Sequence, residues 1–233
     1  TPLYSSAASD VYKRQGVHDI LIQLADGAYP SPIVLRGSLP GAGVIHLRGN
    51  PAQPQNVTLS AAGQDVIRVQ NRATLRLSGL TLQSSGSGHG IAAETLSTVQ
   101  IGPGLRFGAC AQSHLSAASG AVIRFDDAVG VTIAGGAQRH VLAATGGAIL
   151  AAGAAWTLVG TPAFSLGFAG ATSCGVIDWL SPVFTGTATG PRFSASANGV
   201  INTASGNAAL LPGNAALLPG NAAGTAITGG QYG

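Results

Sequence analysis

A short hydrophobic phrase returns along this chain at a nearly constant distance, and that recurrence limits the fold more than any other feature. It reads VIHL from Val44, VIRV from Val66, VIRF from Val122, AILA from Ala148, VIDW from Val176 and VINT from Val200. If the long step between Val66 and Val122 holds two turns, the mean period is about 26 residues. A second phrase, ending in glycine, trails the first with the same period: LRLSG to Gly79, VTIAG to Gly135, WTLVG to Gly160 and VFTG to Gly186.

Side chains of a strand alternate between its two faces. The second position of the first phrase is always isoleucine: Ile45, Ile67, Ile123, Ile149, Ile177 and Ile201. The third is mostly polar: His46, Arg68, Arg124, Leu150, Asp178 and Asn202. The isoleucines therefore read as inward and the third positions as outward. In the second phrase Leu77, Ile133, Leu158 and Phe184 share the inward register, and Arg76, Thr132, Thr157 and Val183 the outward one. Short strands at this period, without helical periodicity, predict a solenoid of parallel strands in which each coil buries its inner face by stacking on the next. Roughly eight coils of about 22–28 residues, about 4.8 Å apart, would make a rod roughly 35–40 Å long.

Composition agrees. Only 8% of residues are charged, against about 25% in an average globular chain, and 45% are hydrophobic, which argues against disorder. The 35 glycines suit many tight turns. The opening TPLYSSAASDVYKRQ lacks a starting Met and holds Lys13, the only lysine. It resembles a translated adapter, so residues 1–15 read as a non-native, disordered scar and are set aside. Without Asp10, Lys13 and Arg14, nine arginines face seven acids, a formal charge of about +2. That balance is too weak to imply a nucleic-acid partner. No apolar run reaches the length of a membrane helix, so no membrane partner is expected. Cys110 and Cys174 show no metal-ligand spacing; their number allows a disulfide, but they read rather as two free, buried thiols. No cofactor is expected. GNAALLP, copied twice within residues 206–224, is too short for a coil, and Pro212 and Pro219 exclude a helix. The predicted organisation is a rod over 16–205 and an irregular tail over 206–233.

Two segments carry a family likeness. IQLADGAYPSPIVL (22–35) and GAGVIHLRGNPAQPQNVTLS (41–60) resemble the entry coils of pectinesterase-type and phage-borne β-helices. The chain from about 17 to 205 thus resembles the right-handed parallel β-helix, or pectin lyase-like, superfamily. The ending GTAITGGQYG is similar to the C-termini of phage and prophage tail-associated proteins. The resemblance implies an all-β, right-handed parallel β-helix at an extracellular or virion surface. Many tail β-helices act as trimers, so it also admits a homotrimer.

For chemistry, the residues offer two candidates. Asp126 and Asp127 lie in AVIRFDDAVGVTIAGG (121–136), at the corner between two strands, matched elsewhere by Gln70-Asn71, Ala152-Gly153 and Leu180-Ser181. Aspartates favour such corners because they hydrogen-bond nearby backbone. Glycosidases resembling polygalacturonases use clustered aspartates, and inverting chemistry wants carboxyls about 6.5–9.5 Å apart. Asp178, two coils beyond Arg124, would complete such a group. Against it, the segment nearest to the pectinesterase motif, LRFGA (105–109), holds no aspartate. The second candidate is a basic column of His46, Arg68 and Arg124, with Arg76, Arg72 and Arg106 nearby, suited to an anionic polysaccharide. His18, His46, His89, His114 and His140 show no catalytic spacing and read as surface or turn residues, and no GxSxG elbow occurs. Trp179 reads as core, and Tyr29 as a turn residue that is also a better candidate than Trp179 for contact with a sugar. The expected function is a non-catalytic β-helix module of a secreted or virion-associated protein that binds polysaccharide. The alternatives are a polysaccharide-active enzyme and a purely structural repeat segment.

Overall fold

The computed structural model describes residues 19–38, 43–180, 182–203 and 218–233. These residues form an all-β parallel solenoid of about seven turns. Its strands make three parallel sheets of nine, seven and eight strands. Each coil gives one strand to each sheet in turn. Val122–Phe125 lies in the first, Gly130–Ile133 in the second and Ala137–Ala144 in the third, before Ala148–Leu150 returns to the first. One short 3₁₀ turn, Pro54–Asn56, is the single helical element among the described residues.

The inward residues stack rung upon rung. On the first sheet the ladder runs Ile20, Ile45, Leu75, Val99, Ile123, Ile149, Ile177, Ile201, Tyr232. From Ile123 to Ile201 the isoleucines are completely buried. Ile67 is buried too, but belongs to the third sheet, between Ile33 and Ile91. Leu77 likewise belongs to the first sheet, whereas Ile133 and Leu158 are rungs of the second. Phe184 pairs with Trp156 rather than continuing from Leu158. Trp179 is fully buried, as alternation predicts. The third sheet carries a ladder of small residues, Ala93, Ala117, Ala143, Ala171, Ala195 and Ala226. Trp156, Trp179, Phe164, Phe168 and Phe184 fill the middle of the rod as a cluster of edge-on and stacked rings.

The corner from third to first sheet repeats most faithfully. Its two central residues both have positive φ: Asn71 and Arg72, Thr95 and Leu96, Ser119 and Gly120, Thr145 and Gly146, Ser173 and Cys174, Ala197 and Asn198, Thr228 and Gly229. Each turn is closed by a hydrogen bond across four residues, such as Gly147 N–H to Ala144 O at 2.9 Å and Gly199 N–H to Ser196 O at 2.8 Å. This is the type I′ turn, whose twist suits the flanking strands. The second residue also donates to the next coil: Arg72 to Thr95 O at 3.0 Å, Leu96 to Ser119 O at 3.1 Å, Gly146 to Ser173 O at 2.9 Å and Cys174 to Ala197 O at 3.0 Å. Left-handed backbone costs a non-glycine residue about 1–2 kcal/mol. The stacked amides offset that cost by satisfying donors that would otherwise be lost. The residue closing the turn must be small. A Cβ on Gly147 would lie 2.2 Å from the Ala117 carbonyl oxygen.

Two readings of the sequence are revised here. Residues 218–233 do not trail irregularly: Thr225–Ala226 and Gln231–Tyr232 pair with the third and first sheets and extend the rod. Cys110 is buried and Cys174 is exposed, both as free thiols. Residues 204–217, which hold the first GNAALLP copy with Pro212 and most of the second, lie outside the described residues, as does the expected scar at 1–15.

The ladder makes a direct prediction. Ile149→Ala should lower stability by about 2–5 kcal/mol, the range for emptying a core site. Its outward neighbour Leu150→Ala should stay within about 0.5 kcal/mol. Urea unfolding midpoints of the two variants test the contrast.

Candidate functional site

Because strands stack in register, their outward residues form columns too. On the first sheet the column runs Leu21, His46, Arg76, Gln100, Arg124, Leu150, Asp178, Asn202. Arg48 and Ser78 pair in the next outward column. His46, Arg76 and Arg124 thus share one face, as the sequence suggests, and Arg48 joins them. Arg48 was legible as well, since it stands two positions after His46 on the same strand face.

Arg68 does not belong to this face. It lies on the third sheet, between Val34 and Ala92. Its Nε donates to Asp65 at 2.9 Å, and its Nη2 lies 3.5 Å from Glu94. Arg68 and Asp65 border a cleft of about 420 Å³ with Arg36, Gln64 and Gln112. Arg72 occupies a left-handed turn position, and Arg106 sits on the second sheet among Thr81, Thr132 and Thr157.

The acids separate. Asp126 follows the strand Val122–Phe125, and its carboxylate accepts a hydrogen bond from Arg76 Nη2, two coils away. Asp127 is exposed in the adjoining turn, beside Ala128 with φ 55°. Asp178 lies in the outward column two rungs from Arg124, as expected, and accepts a hydrogen bond from Asn202 Nδ2 at 2.9 Å. Of the matching corners, Ala152-Gly153 and Leu180 do lie between first and second sheets, whereas Gln70-Asn71 belongs to the corner between third and first. Ser181 lies outside the described residues. Among the described residues no three His, Cys, Asp or Glu groups are placed to hold a metal ion. No described helix is long and apolar enough to cross a membrane.

His46 is the polar hub of the face. Its Nε2 lies 2.9 Å from Ser78 Oγ. Ser78 is buried under its neighbours, its residue 2% exposed, so this contact ties two coils together and presents no nucleophile to solvent. Burial, then the Arg76 and Arg48 charges, hold the His46 imidazole below its ordinary value, opposed by Asp126 and Asp19. The ring is therefore neutral at pH 7, and the charge of the face resides in its arginines.

The remaining histidines depart from the surface reading. His89 is half-buried at a corner, where Ser113 N–H donates to its Nδ1 at 3.1 Å. His114 and His140 are completely buried. Tyr29 donates its hydroxyl to Ala25 O at 2.9 Å, which makes it a turn residue as predicted. Charge is also unevenly shared along the chain. After Arg139 the sequence has only two charged side chains, Asp178 and Arg192. The His46–Arg124 column lies wholly in the charged half.

No family model, curated protein or solved structure matches the chain. Arg76→Ala removes a positive neighbour of His46 and frees the Asp126 carboxylate. It should raise the His46 pKa toward 6.5, as read from the imidazole proton shifts in an NMR titration.

Proposed function

We propose that the protein is a non-catalytic β-helix module of a secreted or virion-associated protein, similar to pectin lyase-like β-helices. Its first-sheet face binds an anionic polysaccharide. The observation that supports this most is the alignment of His46, Arg76, Gln100 and Arg124 on successive rungs of one sheet, with Arg48 alongside. Rungs stand about 4.8 Å apart, so a chain polymer lying along the rod meets one polar side chain per coil. Arginine suits carboxylates and sulfates because its planar fork donates two parallel hydrogen bonds. Among the described acids, Asp126 is engaged by Arg76 and Asp178 by Asn202. Neither is poised as a free acid and base flanking one bond, which is what glycoside hydrolysis needs.

Retention on immobilised anionic and neutral polysaccharides, scored with product release, tests the reading. The protein should be held by anionic polymers alone and released by salt. Arg76→Ala and Arg124→Ala should each weaken binding several-fold, while Arg68→Ala, on another sheet, should leave it unchanged. Release of oligosaccharide that disappears in Asp126→Ala would establish the enzymatic alternative instead. Equal retention of all variants would leave the rod a structural segment.

A further inference from the structure

The core of the rod holds a pair of histidines that the surface site does not use. His114 lies in Ser113–Ala117 and His140 in Ala137–Ala144, neighbouring strands of the third sheet. Each precedes a buried rung, Leu115 or Val141, so two consecutive side chains turn into the core at this bend. Their Nδ1 atoms are 2.9 Å apart. One proton must lie between them, because two bare lone pairs or two N–H groups at that separation repel. One ring therefore donates from Nδ1, and the other accepts and carries its own proton on Nε2. Neither Nε2 has a hydrogen-bond partner among the described residues.

What surrounds the pair is apolar. Phe107 stacks on His114 at 5.0 Å between centroids, and Phe164 meets it edge-on at 5.7 Å. His140 packs on Trp156 at 5.0 Å and Phe168 at 4.8 Å. No carboxylate acts on either ring: burial opposes the charge of His114 and outweighs the Gly108 and Gly136 backbone groups that favour it, and burial and then His114 oppose the charge of His140. Arg139, next in sequence to His140, faces the opposite way and packs over Gly170. Cys110 is tied to the same corner by its backbone N–H, which donates to Gly136 O at 3.0 Å, and burial pushes its thiol up to about 11, so it stays neutral.

The geometry points to a one-proton lock: the neutral His114–His140 pair joins two coils, has no room for a second Nδ1 proton, and makes this stretch of the rod the first to open in acid. The direction follows from linkage. Burial holds His114 down to about 3 and His140 well below its ordinary value. In the unfolded chain both rings take up protons near pH 6.5. Below about 6.5 the unfolded state binds more protons, so stability falls as pH drops, for His114 down to about 3. Each ring lowers the folding constant about tenfold per pH unit across that window. Above about pH 7.5 the pair adds no pH dependence. The two rings titrate as a unit.

Amide hydrogen exchange on the whole chain at pH 7.5 and 4.5, corrected for intrinsic rates, reads the outcome. Residues 105–117 and 137–144 should lose protection first in acid, by at least tenfold more than the Ile177 and Ile201 strands. Nitrogen-15 spectra at pH 5 should show two neutral rings, one protonated at Nδ1 and one at Nε2. The double variant His114→Leu/His140→Phe should keep its protection at pH 4.5. Acid opening that starts in another coil, or a variant that opens like the parent, would overturn the proposal. So would a ring of the folded chain that charges near pH 6.5; should the variant not fold, those ring spectra decide.

Discussion

Two adjacent residues with positive φ, at the same corner of seven successive coils, are the constraint on which the architecture rests. A single left-handed pair in an isolated chain is unfavourable unless glycine or asparagine supplies it. Here the second amide of each pair but the last reaches a carbonyl of the next coil. The strain is thereby supported cooperatively, each corner held by the one stacked on it. The corner also sets phase. Since it has the same length every time, the strand after it always enters the first sheet with the same residue inward. Variation in coil length falls at the other two corners, where Pro51–Asn56 and the loop before Phe164 take up extra residues. The first sheet, with nine strands, is the longest of the three.

Much of this was legible in the sequence. The isoleucines at 123, 149, 177 and 201 are correctly read as one ladder, because a completely buried rung tolerates little besides a branched aliphatic chain. Ile67 is misassigned for the same reason. A parallel strand buried by its neighbours carries a similar hydrophobic phrase on whichever sheet it lies, so VIRV at Val66 looks like VIRF at Val122. Strand pattern alone gives inward and outward but not which of three faces. The repeating corner escaped notice because no residue type marks it. Leu96, Cys174 and Ala197 stand where Asn71 and Asn198 also stand. The stack imposes the conformation there, and the residue does not select it.

The polar residues show the same division. Asp126 was readable as a corner residue from its position after a strand, and Asp178 as two rungs from Arg124. The bond from Arg76 to Asp126 was not readable, since it joins residues 50 positions and two coils apart. Arg68 fell on the wrong face along with Ile67, its neighbour in the chain. The buried histidines, in contrast, left a usable signal: His114 and His140 are 26 residues apart, the period of the coil itself. Equal residues one period apart are neighbours in a solenoid. Two imidazoles placed so satisfy each other at Nδ1, which lowers the cost of polar rings in a core otherwise built of aliphatic and aromatic groups.

The uneven spread of charge along the rod gives it a polarity that its nearly uniform backbone lacks. An anionic layer attracts the half before residue 140 and is almost indifferent to the remainder. The molecule would then be turned by the field before any contact forms. It would arrive with its early coils toward the layer and its neutral windings pointing away.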